Sequence, residues 1–198
     1  MTGKNGLPLI LASASPRRRE ILTSTGIEFE VIPSEVDEAF LHGESPGEHV
    51  VRLARMKALK AAEKYKDRWV LAADTIVVID GRTLGKPRDR REAEEMLQIL
   101  SDREHRVITG YYLIQASSRK SREGEIVTRV RFKPLSSREI CWYLDTGEPF
   151  DKAGGYAIQG KAAFMVNEIN GSYTNVVGLP LAEVVEALQD LGAVDLFR

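Results

Sequence analysis

The residues best able to do chemistry are cations and carboxylates placed where the fold does not ask for them. The first group is LASASPRRREIL, residues 11–22. An apolar stretch over residues 7–11 leads into it, and Pro16 opens what reads as a helix. Arg17, Arg18 and Arg19 then fall in the first turn, where the helix dipole favours Asp or Glu and opposes cations. A solvated helix face accounts for Arg19. For Arg17 and Arg18 a phosphate site is the better reading, because backbone N–H groups converge at a strand-to-helix junction. The guanidinium fork suits phosphate oxygens, and Ser13 adds a hydroxyl. A bound anion would offset both the dipole conflict and the repulsion between the arginines.

Lys57 is the second such residue. At about 100° per residue along the helical stretch 46–66, Val50, Leu53, Ala54, Ala58 and Ala61 form one apolar stripe, and Lys57 lies inside it. It either snorkels to the stripe's edge or is held in a cleft opposite a charge. Asp74 is the third: WVLAAD is an almost wholly apolar strand that ends in a carboxylate. Ligands of α/β sheets gather outside the carboxyl ends of strands, where a carboxylate can hold a divalent metal or accept a proton from water. Two loops complete the set. LGKPRD presents Lys86, and PFDKAGGYAIQG presents Lys152, paired glycines, Gln159 and Gly160. Glycine lets backbone approach a ligand closely, and an amide offers both a donor and an acceptor to a base edge.

Together these residues point to metal-dependent phosphate chemistry on a nucleotide. Neither G-x-x-x-x-G-K-[ST] nor G-x-G-x-x-G occurs, so side chains from several loops must grip the phosphates.

The elements that position them read as alternating strands and helices, an α/β pattern. A chain of 198 residues suits one domain or one two-lobed unit. LPLILAS reads as a buried strand, PRRREILTSTG as a short helix closed by Gly26, and IEFEVIP as a half-exposed strand. SPGEHVVRLARMKALKAAEKYK is a long helix with Ser45 as N-cap and Glu48 completing a capping box. RWVLAADTIVVID is a strand ending in an Asp80-Gly81 turn, and DRREAEEMLQIL a helix capped by Asp89. HRVITGYYLIQAS and EIVTRVRFKP form a hairpin joined by the polar SRKSREG, which makes the sheet mixed. SSREICWYLDTG is a helix ended by Gly147; residues 148–180 are loop-rich with a strand at AFMVNEI; LPLAEVVEALQDLG is the last helix.

Composition narrows the partners. A hydrophobic fraction of 43% and a charged fraction of 29% are ordinary for a globular chain. A net charge of −1 argues against a surface for nucleic acid polymers. The single cysteine, Cys141, excludes an internal disulfide and a multi-cysteine zinc site, and beside Trp142 it reads as a buried core thiol. The opening MTGKNG has no apolar signal core, and no apolar stretch nears the ~20 residues of a membrane span. A reducing cytoplasm and no membrane partner are expected.

LASASPRRREIL, AADT, LGKP and FDKAGGYAIQG, followed by GSYTNVVGLPL, together resemble the Maf family of nucleoside triphosphate pyrophosphatases, over about residues 10–191. The resemblance implies an α/β fold related to the inosine triphosphate pyrophosphatases: an elongated mixed, twisted sheet flanked by helices, with two lobes around a cleft, as a single domain over residues 1–198. It implies hydrolysis between the α- and β-phosphates, a divalent cation (Mg²⁺ or Mn²⁺), a homodimer, and a link to arrest of septum formation in cell division. Asp74 matches the family's catalytic acid–base residue near the metal. Ser13, Arg18 and Lys152 match phosphate-binding positions, and Lys57 and Lys86 match charged residues of the cleft. Glu35 in PSEVDE is expected beside Asp74 in metal or water handling. Arg17, Thr75 and Gln159 follow the branch acting on dTTP and UTP; the branch acting on 7-methyl-GTP carries Trp and Glu in place of Arg17 and Gln159. A neutral amide matches the acceptor oxygens and N3–H of thymine and uracil, whereas a carboxylate would face a carbonyl oxygen with like charge. The alternative is a nucleotide-sensing regulator of division that binds without turnover.

Overall fold

The computed structural model describes residues 6–195. The reading of MTGKNG falls, but for Gly6, outside them. The chain forms two compact units, one of Met1–Asp74, Thr109–Ile126 and Gly178–Arg198, the other of Thr75–Ile108 and Val127–Val177. Its strands are β1 (Leu9–Leu11), β2 (Phe29–Val31), β3 (Val70–Ile79), β4 (Arg82–Leu84), β5 (Glu104–Gln115), β6 (Lys120–Phe132) and β7 (Val166–Asn170). They form a seven-stranded sheet in the order β2-β1-β3-β5-β6-β7, with β4 paired to β3. β1 runs parallel to β2 (Leu9 opposite Phe29) and to β3 (Ile10 opposite Val70). β4 is antiparallel to β3, and β7 to β6, so the sheet is mixed as the sequence indicated.

In the first unit, α1 (Pro16–Thr23) starts where Ser15 Oγ accepts the Arg18 amide. α2 (Pro46–Ala62) carries the expected capping box: Ser45 Oγ accepts the Glu48 amide at 3.3 Å, and the Glu48 carboxylate accepts the Ser45 amide at 2.8 Å. Its stripe of small residues, Ala54, Ala58 and Ala61, packs in one core with Ile10, Ala12, Val70, Ala72, Tyr112 and Ile114. Small side chains bring helix and sheet close. A Cβ on Gly110 of β5 would lie 2.5 Å from the carbonyl carbon of Val50, so glycine stands there for room. Ahead of α2, the buried Glu44 carboxylate accepts from Arg52 Nε at 2.5 Å and from the Leu41 amide at 3.1 Å. These bonds, the arginine's above all, hold its pKa down at about 2. His49 bonds the same carboxylate and stacks on Phe40 at 3.5 Å. The irregular segment before Ser45 is thereby tied to the helix. α6 (Leu181–Asp190) buries Val184, Ala187 and Leu188.

In the second unit, Asp80 and Gly81 both take positive φ, 49° and 75°, the signature of a two-residue hairpin turn. α3 (Arg90–Leu100), capped by Asp89 as expected, buries Ala93, Met96, Leu97 and Leu100 and packs on α4 (Ser137–Asp145). Three-residue to five-residue 3-10 turns follow at Glu148–Asp151, Ala153–Gly155 and Lys161–Met165, and α5 (Tyr173–Val177) succeeds β7. His105 lies in the core, its Nε2 2.7 Å from the Tyr156 hydroxyl and its ring edge-on to Phe132. Burial lowers its pKa to about 4 and raises that of Tyr156.

Four expectations are corrected. The tail of the Asp80-Gly81 turn is itself a strand, β4. β6 begins at Lys120, inside the stretch read as a polar connection, because strand pairing rather than side-chain polarity decides an exposed half-strand. The strand at AFMVNEI starts only at Val166, and Ala163, Phe164 and Met165 belong to the preceding 3-10 turn. Cys141 is exposed. α4 buries Ile140, Tyr143 and Leu144, and the helical period turns Cys141 and Trp142 away from that face.

Candidate functional site

The first unit gathers most of the polar residues singled out by the sequence. Ser13 and Asp74 both lie just past the place where β1 pairs with β3, the last tie being the Ala12 amide to the Leu71 carbonyl at 2.8 Å. Asp74 is therefore inside β3, not at its end, yet it stands beyond the carboxyl end of the parallel neighbour. That is the usual position for a ligand-binding carboxylate in an α/β sheet.

Lys57 settles between the two readings of its stripe. It is only 8% exposed, and its Nζ donates to Asp74 Oδ1 at 2.7 Å and to Glu38 Oε1 at 2.6 Å. It is a cation held opposite two carboxylates, and desolvation makes its contact with the buried Asp74 worth more than a surface pair. Asp74 is equally buried at 8%, whereas the Glu38 side chain is about half exposed.

Arg18 completes the cluster. Its Nε donates to the Gly178 carbonyl at 2.7 Å and its Nη1 to Ser13 Oγ at 3.2 Å. Ser13 Oγ also accepts the Ser15 amide at 3.2 Å, which leaves its O–H as a donor. Burial pulls the Arg18 pKa below its ordinary value, and the nearby Arg17 adds to this, while the charges of Asp74 and Glu38 oppose it. The guanidinium is thus clamped by neutral oxygens and balanced by the same two carboxylates that hold Lys57. Arg17 is half-buried, and Arg19 is exposed as its reading required.

Glu38 is the carboxylate that sequence reasoning missed. Glu35 is exposed, and its main-chain carbonyl accepts Lys60 Nζ at 2.6 Å. Both belong to PSEVDE, an irregular segment without a period, so no pattern could choose between them. Lys57 inside an apolar stripe was the available signal, since a buried lysine demands a carboxylate partner.

The second unit holds Thr75, Lys86, Lys152 and Gln159. Thr75 follows Asp74 directly in β3. The exposed Lys86 and the half-buried Lys152 sit on two loops tied by the Gly154 amide to the Gly85 carbonyl at 3.0 Å. Gly154 and Gly155 both take φ of 69°, so the paired glycines shape this loop. Lys152 Nζ donates to the Glu148 carbonyl at 3.0 Å and contacts the Asp151 carboxylate. Gln159 is exposed, in a turn closed by the Gly160 amide to the Ala157 carbonyl at 3.0 Å.

Among the described residues no three His, Cys, Asp or Glu side chains are grouped to hold a metal ion. Two carboxylates converging on one point are still a sufficient protein share for Mg²⁺, which keeps waters and takes further oxygens from substrate phosphates. No helix among the described residues is long and apolar enough to cross a membrane.

The family model described as Maf-like protein matches residues 8–191. The dTTP/UTP pyrophosphatase of Syntrophus aciditrophicus (strain SB) is 55% identical over 185 residues, 93% of this chain and 90% of the relative. That of Geotalea uraniireducens (strain Rf4) is 56% identical over 191 residues, covering 94% and 96%. That of Symbiobacterium thermophilum (strain DSM 24528 / JCM 14929 / IAM 14863 / T) is 53% identical over 184 residues, covering 93% and 94%. The solved Ham1 protein of Staphylococcus aureus aligns with 63% of this chain and 71% of its own at a TM-score of 0.44 and 16% identity.

Proposed function

The chain belongs to the Maf-like protein family, and on that premise we propose that it hydrolyses nucleoside triphosphates, dTTP and UTP first among them, to the monophosphate and pyrophosphate. The observation that carries this reading is the Asp74–Lys57–Glu38 bridge, with Asp74 and Lys57 buried, beside the clamped Arg18. Asp74 accepts a proton from the water that attacks the α-phosphorus, and the bond to the bridging oxygen breaks, releasing pyrophosphate. Lys57 holds the Asp74 carboxylate in place through its 2.7 Å bond to Oδ1. Ser13 and Arg18 donate to phosphate oxygens and neutralise charge that grows on the leaving group, the main work of a phosphoryl-transfer site. Lys86 and Lys152 are assigned to phosphate binding, and Arg17, Thr75 and Gln159 to the choice of base.

When bound, a divalent cation, Mg²⁺ or Mn²⁺, supplies polarisation of the phosphates and a more acidic water. Asp74 and Glu38 would hold it, with Glu35 a further carboxylate of the same segment. The cellular use proposed is removal of unwanted pyrimidine triphosphates, with septum formation as the process it touches.

The test is a panel of ribo- and deoxyribonucleoside triphosphates incubated with pure protein and Mg²⁺ or Mn²⁺, with products identified. Monophosphate and pyrophosphate from dTTP and UTP are expected. Orthophosphate release would overturn the mechanism, purine preference the reading of Gln159, and tight binding without turnover would favour a sensor.

A further inference from the structure

Glu148 stands behind two of the second unit's residues to which the proposed function assigns base and phosphate recognition, Gln159 and Lys152. It opens the 3-10 turn Glu148–Asp151, directly after Gly147 with φ of 73°. Its side chain faces the turn that carries Gln159. Oε1 accepts from the Tyr143 hydroxyl at 3.0 Å, and Oε2 accepts from the Lys161 amide at 3.1 Å. Its main-chain carbonyl accepts Lys152 Nζ at 3.0 Å. One residue thus touches both segments.

Gly160 shows how tight the fit is. Its φ of −101° is open to any residue, yet a Cβ there would lie 2.2 Å from Glu148 Oε1. Glycine stands at that position to admit the carboxylate. Tyr143 has no exposed surface, so the hydroxyl that fixes Oε1 is itself fixed by the core. Gln159 is exposed, and the backbone of its turn, closed by the Gly160 amide to the Ala157 carbonyl, aims its side chain.

We infer that Glu148 is a positioning residue for substrate selection, setting the Gln159 turn through its carboxylate and Lys152 through its carbonyl. The inference rests on the reading of Gln159 as the base-recognising amide. When the carboxylate is removed, the charge-assisted bond from the Lys161 amide next to the turn is lost, and so is the anchor on Tyr143; the amide of Gln159 then samples orientations that no longer favour a pyrimidine.

The test compares the ratio of kcat/KM for dTTP to that for dGTP, a ratio from which the fraction of folded enzyme cancels. Glu148→Ala is expected to lower it by about tenfold, the scale of a lost bond to a charged group. Tyr143→Phe, which removes only the hydroxyl, is expected to lower it in the same direction by less. Glu148→Gln, which keeps one acceptor, is expected to fall between wild type and Glu148→Ala. In Gln159→Ala the ratio falls, and adding Glu148→Ala lowers it no further, because the two act through one contact. If Glu148→Ala does not fold, Tyr143→Phe decides. A lowered ratio in Gln159→Ala with a wild-type ratio in Glu148→Ala and Tyr143→Phe overturns the positioning role and leaves the reading of Gln159 standing. A wild-type ratio in Gln159→Ala overturns that reading, and the inference with it.

Discussion

Asp74 and Glu38 share a single ammonium, and this sharing organises the first unit's polar cluster. Replacing Asp74 by Asn keeps an oxygen for Lys57 to bond but removes both the charge and the basicity. Asp74→Asn is therefore expected to lower pyrophosphate release by about 10²–10⁴-fold, the range of a positioned general base, while the thermal midpoint changes little. A matching collapse of the fold would show a structural carboxylate instead. Lys57 was legible in the sequence because a helix has a strict period and a lysine breaks an apolar stripe visibly. Glu38 was not, because PSEVDE is irregular and any of its carboxylates could turn inward. The clamp on Arg18 was legible only on its near side, as Ser13; the Gly178 carbonyl lies 160 residues away and no local pattern announces it.

At the scale of elements, the caps at Ser45 and Asp89 carry the clearest sequence signals and both are made. What was hidden depends on pairing. β4 and the polar half of β6 have little strand propensity of their own, and neighbours in the sheet decide them. Gly110 is a contact of the same kind, between β5 and the backbone of α2. Gly110→Ala is expected to destabilise the protein by about 1–3 kcal/mol, through overpacking against Val50 and Val51. Urea unfolding measures it. Because α2 also carries Lys57, activity should fall in step, and an unchanged midpoint would show that the helix yields at little cost.

For the molecule as a whole, acid stability separates into two windows. His105 is neutral in the fold down to about pH 4, whereas in the unfolded chain it titrates near its ordinary 6.5. Between these values the unfolded state binds the extra proton, so stability falls as pH drops through the window, by about 3 kcal/mol in all. Glu44 acts lower down: its bonds are intact above its ordinary 4.5 and are lost as pH falls toward about 2. Unfolding free energies measured from pH 7 to pH 3 should show both slopes. In His105→Gln, whose amide can still bond the Tyr156 hydroxyl, the slope between pH 6.5 and 4 should flatten and the lower one remain. An unchanged upper slope would place its source elsewhere. The α/β class and the mixed sheet were legible from alternating periodicities. Which segments make up each unit was not, because the first is assembled from three separated stretches.

That division sets an order of events during synthesis. The carbonyl that clamps Arg18 belongs to Gly178, 160 residues downstream. At about 5–20 residues per second a ribosome needs about 10–30 s to add that stretch. Until then the arginine and its neighbouring β1–α1 junction can be present without their final partner. A nascent chain of this sequence therefore acquires the Arg18 clamp among the last things it makes, and a ribosome stalled before Gly178 would carry a polypeptide whose Arg18 has not yet met its partner.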